Sequence, residues 1–537
     1  MTSNEVVTGA KSLIAGALVA DGTGAPLERL DVLIEGTRII AVEPHGAFSA
    51  QGDWQVIRAD ALVLAPGFID VHSHADLSPL LCDDDTSKIL QGVTTEVVGN
   101  CGQSLAPLVP GREQETRATV GGMFPDVPMQ WHGFGEMMDT LDTAGYVTNY
   151  CPLVGHGALR VAIVGAAARA ATGTELSRMK DLLALALSEG AFGFSSGLIY
   201  SPGVFSDLDE LAGLASVLPS SRVYATHMRN ESDALMDSIE EALAVGERTG
   251  CKVQVSHLKS AGRSNWGGSD HALRRLDAAR AKGLRVTQDV YPYIAASTTL
   301  TACLPPWAHD GGEVMLLERL TNPSTLRKLR EDIEAIDAQD WENPIRGSGY
   351  DGIMVASTSS HDFEGRTLSQ LAEELGTDPF EAMVTVLRAE RLRASMVEFA
   401  MAEGDVEAIM ANEWTMIASD GLPVGTGGKP HPRLHGTFPR VLGRYVRDRG
   451  VLDLGTAIHK MTGQPAEVFG IPDRGKIAAG AVADLVAFSP QDVADVGTYQ
   501  DPAHAPAGIN WVMQGGRTVV HDGRWLGVRS GARLLPW

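Results

Sequence analysis

Four apolar, β-prone segments of this chain each end in side chains that bind divalent cations or transfer protons. The first ends in a His-x-His pair, His72 and His74, and the others end in His227, His257 and Asp420. If the first segment is a strand, both of its imidazoles leave on the same side, as two ligands of one metal would. A (β/α) barrel builds its active site from polar residues at the carboxyl ends of its strands. The pattern therefore predicts such a barrel and a metal-dependent hydrolase.

Each of these residues alone has a simpler explanation. A single histidine at a strand end is more often a hydrogen-bonded structural side chain than a ligand. Asp420 precedes a glycine, and Asp-Gly after a strand is also an ordinary turn sequence. For the structural explanation to be right, it would have to apply independently at the end of every one of these segments. Because that coincidence is improbable, we favour one shared metal site.

Composition excludes several classes of partner. The chain has 537 residues and is 44% hydrophobic, which predicts one large core domain with one or two smaller units. Its formal net charge of −23 argues against nucleic acid and anionic membranes as partners, because both would be repelled at long range.

Five widely spaced cysteines indicate a reducing compartment rather than a disulfide framework. With no targeting signal and no apolar stretch of the ~20 residues that span a bilayer, we expect a cytoplasmic protein.

Short β-prone segments separated by turns occupy both ends of the chain, and the middle alternates apolar segments with helical patterns. Residues 1–65 and 469–537 therefore predict a small β domain built jointly by the two termini. Residues 66–300 and 350–468 predict the two parts of an α/β fold, a (β/α)8 TIM barrel. The intervening residues 301–349, with Pro-containing loops and a charged helix, predict an inserted subdomain or a lid over the barrel mouth.

Eight candidate barrel strands can be counted in the middle of the chain. They are Phe68 to His72, Thr94 to Gly99, Val147 to Leu153, Ala191 to Ser195, Val223 to His227, Val253 to His257, Arg285 to Val290 and Trp414 to Ser419. The segment Ile353 to Ala356 is a ninth candidate, so the seventh strand stays open at this point. Helical patterns run from Thr174 to Glu189 and from Asp233 to Arg248.

Longer motifs surround the candidate ligands. They are Pro-Gly-Phe-Ile-Asp at 66–70, Gly-Asn-Cys-Gly at 99–102, Thr-His-Met-Arg-Asn-Glu at 226–231, Ser-His-Leu-Lys at 256–259, Asp-Val-Tyr-Pro-Tyr at 289–293, and Ser-Asp-Gly at 419–421 with His-Pro-Arg at 431–433. Together they resemble the N-acyl-D-amino-acid deacylases, or D-aminoacylases, of the amidohydrolase superfamily. The resemblance implies an amidohydrolase barrel with a small β-sandwich, and zinc-dependent hydrolysis of N-acyl-D-amino acids to a carboxylate and a free D-amino acid. It implies a small-molecule substrate and leaves a homo-oligomer open.

The same resemblance implies two neighbouring metal positions. A tight zinc position would be held by Cys101, His227 and His257. A second, weaker position would be formed by His72, His74 and Asp420, with Cys101 able to bridge the two. Thiolate and imidazole suit Zn²⁺, and three protein ligands leave room for a water molecule. The remaining cysteines are interpreted as inert buried thiols.

The resemblance also assigns the substrate contacts. Arg433 would hold the α-carboxylate with two hydrogen bonds, since its planar guanidinium matches a carboxylate. Tyr291 and Ser297 would add hydroxyl contacts, with Tyr293 as the alternative to Tyr291. Lys259 would be a cation facing the substrate, although an exposed lysine after a strand is an equally ordinary interpretation. A Gly-His-Gly stretch around His156 also matches the family, and we expect a structural role for it.

The mechanism expected from these ligands needs no protein nucleophile. Zinc lowers the pKa of a bound water to about 7 and polarises the amide carbonyl. Asp420 would take the proton from the attacking water and pass it to the departing nitrogen.

Three alternatives follow from the sequence. A cyclic-amide hydrolase of the dihydropyrimidinase or hydantoinase type is disfavoured, because residues 191–197 lack the lysine that such enzymes carboxylate on their fourth strand. A hydrolase of another N-acyl amide and a non-catalytic metal-containing barrel also stay open.

The glycine-rich segment 424–430 departs from the family and predicts a mobile loop at the site. A phosphate loop is disfavoured there, because neither the P-loop nor the Rossmann spacing is present.

Overall fold

The computed structural model describes residues 11–48, 53–119, 124, 127–337, 340–422 and 428–537. Residues 424–427 of the predicted glycine-rich loop and residues 1–10 of the predicted N-terminal unit lie outside this described part.

The strands follow the predicted order along the chain. The chain begins with β1 (Lys11–Val19), β2 (Glu28–Glu35), β3 (Arg38–Pro44), β4 (Gln55–Arg58) and β5 (Val63–Pro66). The next seven strands are β6 (Phe68–Asp70), β7 (Val93–Val98), β8 (Asn149–Gly155), β9 (Gly193–Gly197), β10 (Val223–His227), β11 (Lys252–Val255) and β12 (Val286–Val290). They are followed by β13 (Ala296–Thr299), β14 (Ile353–Ser357), β15 (Ser395–Glu398) and β16 (Thr415–Ile417). The last are β17 (Leu485–Phe488), β18 (Ile509–Gln514), β19 (Arg517–His521) and β20 (Arg524–Trp525).

Helices separate the strands of the middle region. Those between β7 and β12 are α1 (Glu113–Thr119), α2 (Phe134–Ala144), α3 (His156–Ile163), α4 (Gly173–Ser188), α5 (Leu208–Ala215), α6 (Leu235–Thr249) and α7 (Ser269–Ala281). Those between β13 and β16 are α8 (Gly312–Arg319), α9 (Pro323–Ile333), α10 (Pro344–Ser348), α11 (Leu368–Leu375), α12 (Pro379–Ala389) and α13 (Glu403–Ala411). After β16 come α14 (Arg433–Arg440), which continues as a π-helix (Val441–Asp448), α15 (Leu454–Met461) and α16 (Gly463–Phe469).

Two of the predicted helices are found within two residues of their expected bounds, and local signals explain why. At the start of α4, the Thr172 side chain accepts from the backbone N–H of Glu175, and the Glu175 side chain accepts from the N–H of Thr172. This reciprocal capping satisfies two N–H groups that the first turn leaves free. The end of α6 is set by Gly250, which adopts a left-handed φ of 70°.

The described strands of the middle region form an eight-stranded parallel sheet in the order β16-β12-β11-β10-β9-β8-β7-β6. Strands such as β7 and β8 are buried along their whole length, as parallel strands covered by helices must be. The predicted α/β barrel is confirmed. Its seventh strand is β12, because the ninth candidate, β14, instead joins β13 and β15 in a separate antiparallel sheet.

Both ends of the chain contribute to one further sheet. In the described residues its order is β20-β19-β18-β17-β5-β1-β2-β3, with β4 beside β1. The N-terminal and C-terminal parts meet where β17 pairs antiparallel with β5. The additional β unit expected from both termini is therefore present, while the division of the chain at residues 65 and 469 stays a prediction.

Many of the residues between β13 and β15 pack around a core of their own. This core, which we call the insert core, runs from Leu300 to Met396 and is covered by helices α8 to α12. The predicted insert 301–349 contributes its first part, and the described core extends well past that range. The predicted domain boundaries at residues 301, 349 and 350 stay predictions.

The barrel closes at its carboxyl-terminal rim through backbone hydrogen bonds between the first and last barrel segments. The N–H of Asp420 donates to the carbonyl of His72 at 2.8 Å, and the N–H of His74 donates to the carbonyl of Gly421 at 3.1 Å. The residues that follow β6 and β16 are therefore joined directly.

No helix in the described ranges combines the length and the apolar character needed to cross a bilayer.

A buried charge network supports this closure from behind. Lys88 Nζ lies 2.9 Å from Asp70 Oδ2 and 3.3 Å from Glu96 Oε2. Asp70 also accepts hydrogen bonds from the hydroxyl of Ser419 at 2.5 Å and from its N–H at 2.9 Å. All of these side chains are buried, so one ammonium compensates two carboxylates that water does not reach. The segments that carry His72 and Asp420 are anchored to the same ion cluster.

Replacing Lys88 by methionine should destabilise the protein by about 3–5 kcal/mol, because it leaves two buried carboxylates without their cation. Lys282→Met is the matched control, since Lys282 is exposed and its loss should change stability little. Urea midpoints and melting temperatures of both variants would measure the difference. Equal stability of the two variants would show that the network does not hold the rim.

Candidate active site

The predicted metal ligands converge at the carboxyl-terminal rim of the barrel. Five of them lie at or just beyond the end of a strand: His72 and His74 after β6, His227 as the last residue of β10, His257 after β11 and Asp420 after β16. Three of the strands that precede these ligands end earlier than predicted: β6 at Asp70, β11 at Val255 and β16 at Ile417. The ligands at these positions therefore stand on turns rather than inside the ladder. Cys101 follows β7 in the same way.

Three of these turns use a backbone conformation that side chains other than glycine rarely adopt. Cys101, His257 and Asp420 have φ values of 53°, 35° and 47°. Left-handed conformations of this kind cost on the order of 1–3 kcal/mol each and persist where the surroundings hold them. Their coincidence at one site indicates that the side-chain directions there are fixed at the expense of local stability.

Cys101 is the centre of the cluster. Its Sγ lies 3.2 Å from His72 Nε2, 3.5 Å from His257 Nε2 and 3.7 Å from His227 Nδ1. Burial alone would raise the pKa of the Cys101 thiol, but the surrounding imidazoles hold that pKa well below its ordinary value. The thiolate, which is the form that binds metals, is therefore favoured here.

Asp420 forms the other half of the cluster. Its Oδ1 lies 3.4 Å from His72 Nε2 and 3.2 Å from His74 Nε2. The ligand atoms of His72, Cys101, His257 and Asp420 all lie within 4.8 Å of one another. His72 thus stands between the thiolate and the carboxylate, as the ligand sets of two adjacent metal positions require.

The spacing around Cys101 fits a tetrahedral zinc site. With bonds of about 2.3 Å to sulfur and about 2.0–2.1 Å to nitrogen, tetrahedral geometry separates the two donor atoms by about 3.6 Å. The two distances from Cys101 Sγ to His257 and His227 are 3.5 and 3.7 Å. One thiolate and two imidazoles are also a donor set that zinc prefers. The residues present therefore fit the metal that the sequence predicts.

Glu231 is hydrogen-bonded to the outer nitrogen of His257 and lies near that of His227. Its Oε1 lies 3.0 Å from His257 Nδ1, and its Oε2 lies 3.5 Å from His227 Nε2. Burial would raise the pKa of Glu231, but Lys259 and the two histidines lower it to about 2. A carboxylate behind a ligating histidine fixes the ring orientation and its tautomer. Sequence analysis missed this role, although Glu231 ends the 226–231 motif four residues after His227.

Asp289 is a second residue that sequence analysis did not assign. It lies in β12, where its Oδ1 accepts from the N–H of His257 at 2.8 Å and approaches His72 Nδ1 at 3.6 Å. Its Oδ2 accepts from Gln254 at 2.7 Å. A carboxylate near the end of an apolar strand is the same signal that identified Asp420, so it was available in the sequence.

Three of the predicted substrate contacts line a cavity that opens on the metal cluster. Lys259 Nζ donates to Glu231 Oε2 at 2.6 Å, so this cation faces the cavity with a carboxylate beside it. The hydroxyl of Tyr291 is buried and has no hydrogen-bond partner in the described part of the chain. The Ser297 hydroxyl donates to the carbonyl of Met396 at 2.8 Å. Tyr293, the alternative to Tyr291, is not part of the described lining.

The fourth predicted contact, Arg433, lies elsewhere. It is 1% exposed and is not part of the described cavity wall. Its Nη1 lies 2.9 Å from Asp420 Oδ2, its Nη2 donates to the carbonyl of Ser297 at 3.1 Å, and its guanidinium covers the Tyr291 ring at 4.5 Å. Burial would raise the pKa of Asp420, but Arg433 and the histidines hold it well below its ordinary value. In this structure the guanidinium keeps Asp420 ionised.

His156 lies outside the described cavity wall. Its Nε2 lies 2.8 Å from Glu210 Oε1, and Arg160 donates to both oxygens of the same carboxylate. All three side chains are buried. This arrangement agrees with the structural role expected from the sequence.

A family model described as "Amidohydrolase family" matches residues 55–299 and 325–524. An N-acyl-D-glutamate deacylase of Alcaligenes xylosoxydans xylosoxydans is 38% identical over 513 residues, covering 94% of this chain and 93% of the relative. A D-aminoacylase of the same organism is 35% identical over 525 residues, covering 97% of each chain. The crystal structure of N-acyl-D-glutamate deacylase from Bordetella bronchiseptica, complexed with zinc and a phosphonate inhibitor, has a TM-score of 0.81 and 36% identity, covering 98% of this chain and 100% of that one.

Cyclic-amide hydrolases are more distant. The dihydropyrimidinase from Brevibacillus agri is 15% identical with a TM-score of 0.56, so it shares the fold alone. The fourth barrel strand, β9, also lacks a lysine. Both observations argue against the cyclic-amide alternative.

The Cys101 thiolate should be required for metal retention, because its Sγ lies within 3.7 Å of nitrogens of His72, His227 and His257. Purified protein should hold about one tight zinc, and Cys101→Ala should lose it. Cys151→Ala is the matched control, since Cys151 is also buried, lies in the neighbouring strand β8 and belongs to an apolar core cluster. Elemental analysis after dialysis would measure zinc in each protein. Zinc retained in Cys101→Ala would show that the thiolate assignment is wrong.

Proposed function

The chain belongs to the N-acyl-D-amino-acid deacylases of the amidohydrolase family, and from this premise we propose that it hydrolyses the amide bond of N-acyl-D-amino acids. The products are a carboxylic acid and a free D-amino acid. The observation that carries the proposal is the convergence of Cys101, the histidines and Asp420 at one end of a cavity that also presents Lys259 and an unpartnered tyrosine hydroxyl.

The tight metal position is proposed to use Cys101, His227 and His257, with His72, His74 and Asp420 forming a weaker one. The donor distances and the low pKa of the thiol support this assignment. Zinc bound there would supply an activated water at neutral pH and polarise the scissile carbonyl. The relative from Bordetella bronchiseptica contains zinc, which supports the choice of metal.

Asp420 is proposed as the group that moves the proton. Its Oδ2 is held by Arg433 and its Oδ1 faces the histidines, so the ionised carboxylate is ready to accept a proton at neutral pH. It takes that proton from the attacking water and delivers it to the departing amide nitrogen. The nitrogen then leaves as an amine, and the carbonyl carbon keeps the new oxygen.

The α-carboxylate of the substrate is proposed to bind beside Tyr291, Ser297 and Lys259, with Arg433 behind them. Tyr291 has a free hydroxyl, and Lys259 supplies the one lysine or arginine charge among the described residues of the cavity wall. Arg433 contacts both the Tyr291 ring and the Ser297 carbonyl, so its charge also acts on this end of the cavity. An incoming carboxylate would compete with Asp420 for that guanidinium.

The zinc-loaded protein should hydrolyse N-acetyl-D-methionine and leave N-acetyl-L-methionine largely untouched. Release of the primary amine, measured with ninhydrin, would follow both reactions. Dihydrouracil is the control substrate for a cyclic-amide hydrolase. Hydrolysis of dihydrouracil but of neither acetyl amino acid would overturn the proposal.

Asp420→Asn should reduce kcat by about 10²–10⁴-fold, because the amide keeps the shape of the carboxylate but cannot accept the proton. The tight zinc should remain, since its proposed ligands are unchanged. Steady-state kinetics together with zinc analysis of the variant would separate chemistry from metal loss. Turnover close to that of the unmodified enzyme would remove Asp420 from the mechanism.

A further inference from the structure

Two carboxylates from the region of the insert core line the catalytic cavity, and neither belongs to the metal cluster. Glu398 is the last residue of β15, and Glu342 lies two residues before α10. Glu398 accepts a hydrogen bond from the hydroxyl of Ser348 at 2.8 Å. Glu342 accepts from the backbone N–H of Glu231. Both carboxylates are therefore held in place by neighbours that bring no positive charge.

Glu398 lines the same cavity as Ser297 and Tyr291, which are proposed to contact the amino-acid half of the substrate. β13 and β15 are antiparallel partners, with Ala296 opposite Glu398 and Ser297 opposite Val397. Ser297 belongs to the group proposed to bind the α-carboxylate. Glu342 lies at the same end of the cavity, because it accepts a hydrogen bond from the backbone N–H of Glu231. The side chain of Glu231 in turn accepts one from Lys259. A side chain that leaves the α-carbon of the substrate would meet these two glutamates.

The charges around this end of the cavity do not balance. Lys259 is the one lysine or arginine among the described lining residues, and Glu231 already pairs with it at 2.6 Å. Within the described ranges, no lysine, arginine or histidine lies within 4.0 Å of the carboxylate of Glu342 or of Glu398. Burial, with repulsion from Glu231, raises the pKa of Glu342 to about 8 and that of Glu398 to about 7, although Lys259 acts on both groups in the opposite direction. A cation beside either group would stabilise its ionised form.

The Tyr291 hydroxyl gives an independent indication that a polar ligand completes the cavity. Tyr291 is 2% exposed, lines the same cavity and has no hydrogen-bond partner for its hydroxyl among the described residues. A buried hydroxyl without a partner costs free energy that a bound polar ligand would recover.

Building on the proposed deacylase function, we propose that Glu342 and Glu398 bind the side chain of the amino acid and select N-acyl-D-amino acids with a cationic side chain. An ammonium or guanidinium group would pair with the two glutamates. An acidic side chain would instead meet two glutamates that pair with no lysine or arginine among the described residues of the cavity wall. This preference differs from that named for the similar N-acyl-D-glutamate deacylase.

The size of the effect follows from where the charges lie. Charges that interact away from water are weakly screened, so unlike and like pairs differ strongly in free energy. We expect the cationic substrate to exceed the acidic one by about a hundredfold or more in kcat/KM, with a neutral side chain in between. Each glutamate should account for about tenfold of the ratio between cationic and neutral substrates.

The test compares three substrates with the zinc-loaded, full-length enzyme: Nα-acetyl-D-lysine, N-acetyl-D-methionine and N-acetyl-D-glutamate. The measured quantity is the ratio of kcat/KM for lysine to that for methionine, because a general loss of activity cancels in it. Glu398→Gln and Glu342→Gln should each lower this ratio, and Glu398→Asp, which keeps the charge, should retain most of it. Glu318→Gln is the control, since Glu318 is exposed on α8 outside the described cavity wall and its ratio should not change.

Two results would overturn the inference while leaving the deacylase function intact. One is hydrolysis of the glutamate substrate at least as efficiently as the lysine substrate. The other is a lysine-to-methionine ratio that neither glutamine variant alters. If none of the three substrates is hydrolysed, the proposed function fails instead. Calorimetric binding of free D-lysine and D-glutamate to the zinc-loaded enzyme then still decides the inference, because tighter binding of D-lysine supports it and equal or tighter binding of D-glutamate refutes it.

Discussion

The hydrogen bonds between the segments after β6 and β16 are the interaction on which the site depends. They join the N–H of Asp420 to the carbonyl of His72, and the N–H of His74 to the carbonyl of Gly421. The same residues carry the imidazoles and the carboxylate of the cluster, so closing the barrel and assembling the site are one event. Asp70, bonded to Lys88 and to Ser419, holds both segments from behind. The left-handed turns at the rim are tolerated because this frame leaves them little freedom.

Charges inside the barrel mouth are arranged in pairs, and the pairing fixes the chemistry of each group. Arg433 keeps Asp420 ionised, and Glu231 accepts from Lys259 while it orients His257, one of the two histidines of the proposed tight metal position. Because these charges are buried, separating the members of a pair would cost more free energy than it would in water. The site is therefore set before a substrate arrives. The glutamates that border it from the region of the insert core are the exception, since the one lysine or arginine in the described cavity wall already pairs with Glu231.

Most of the barrel could be predicted from the sequence, because parallel strands buried on both faces leave apolar segments that end at polar residues. The helical patterns at 174–189 and 233–248 agree with α4 and α6 within two residues, and the structure places a cap at Thr172 and at Gly250. Cys101 came only from the resemblance to a family, since a cysteine in a glycine-rich turn carries no periodic signal. The contact between Arg433 and Asp420 and the approach of Glu398 to the cavity depend on packing between distant segments, which no local pattern encodes. The sequence also does not show that α11 and α12 pack on the insert core, because each has an amphipathic pattern that barrel helices share.

The separate insert core has a consequence for how such an enzyme can evolve. The groups proposed for catalysis stand mainly on barrel segments, whereas Glu398 stands on a strand whose apolar neighbours belong to another core. Substitutions more than about 7–10 Å apart with no shared partners have nearly additive effects on stability. Changes in the insert core that lie this far from the barrel site therefore leave the effects of barrel substitutions nearly unchanged. New substrate preferences can arise there by small steps while the reaction itself is inherited unchanged.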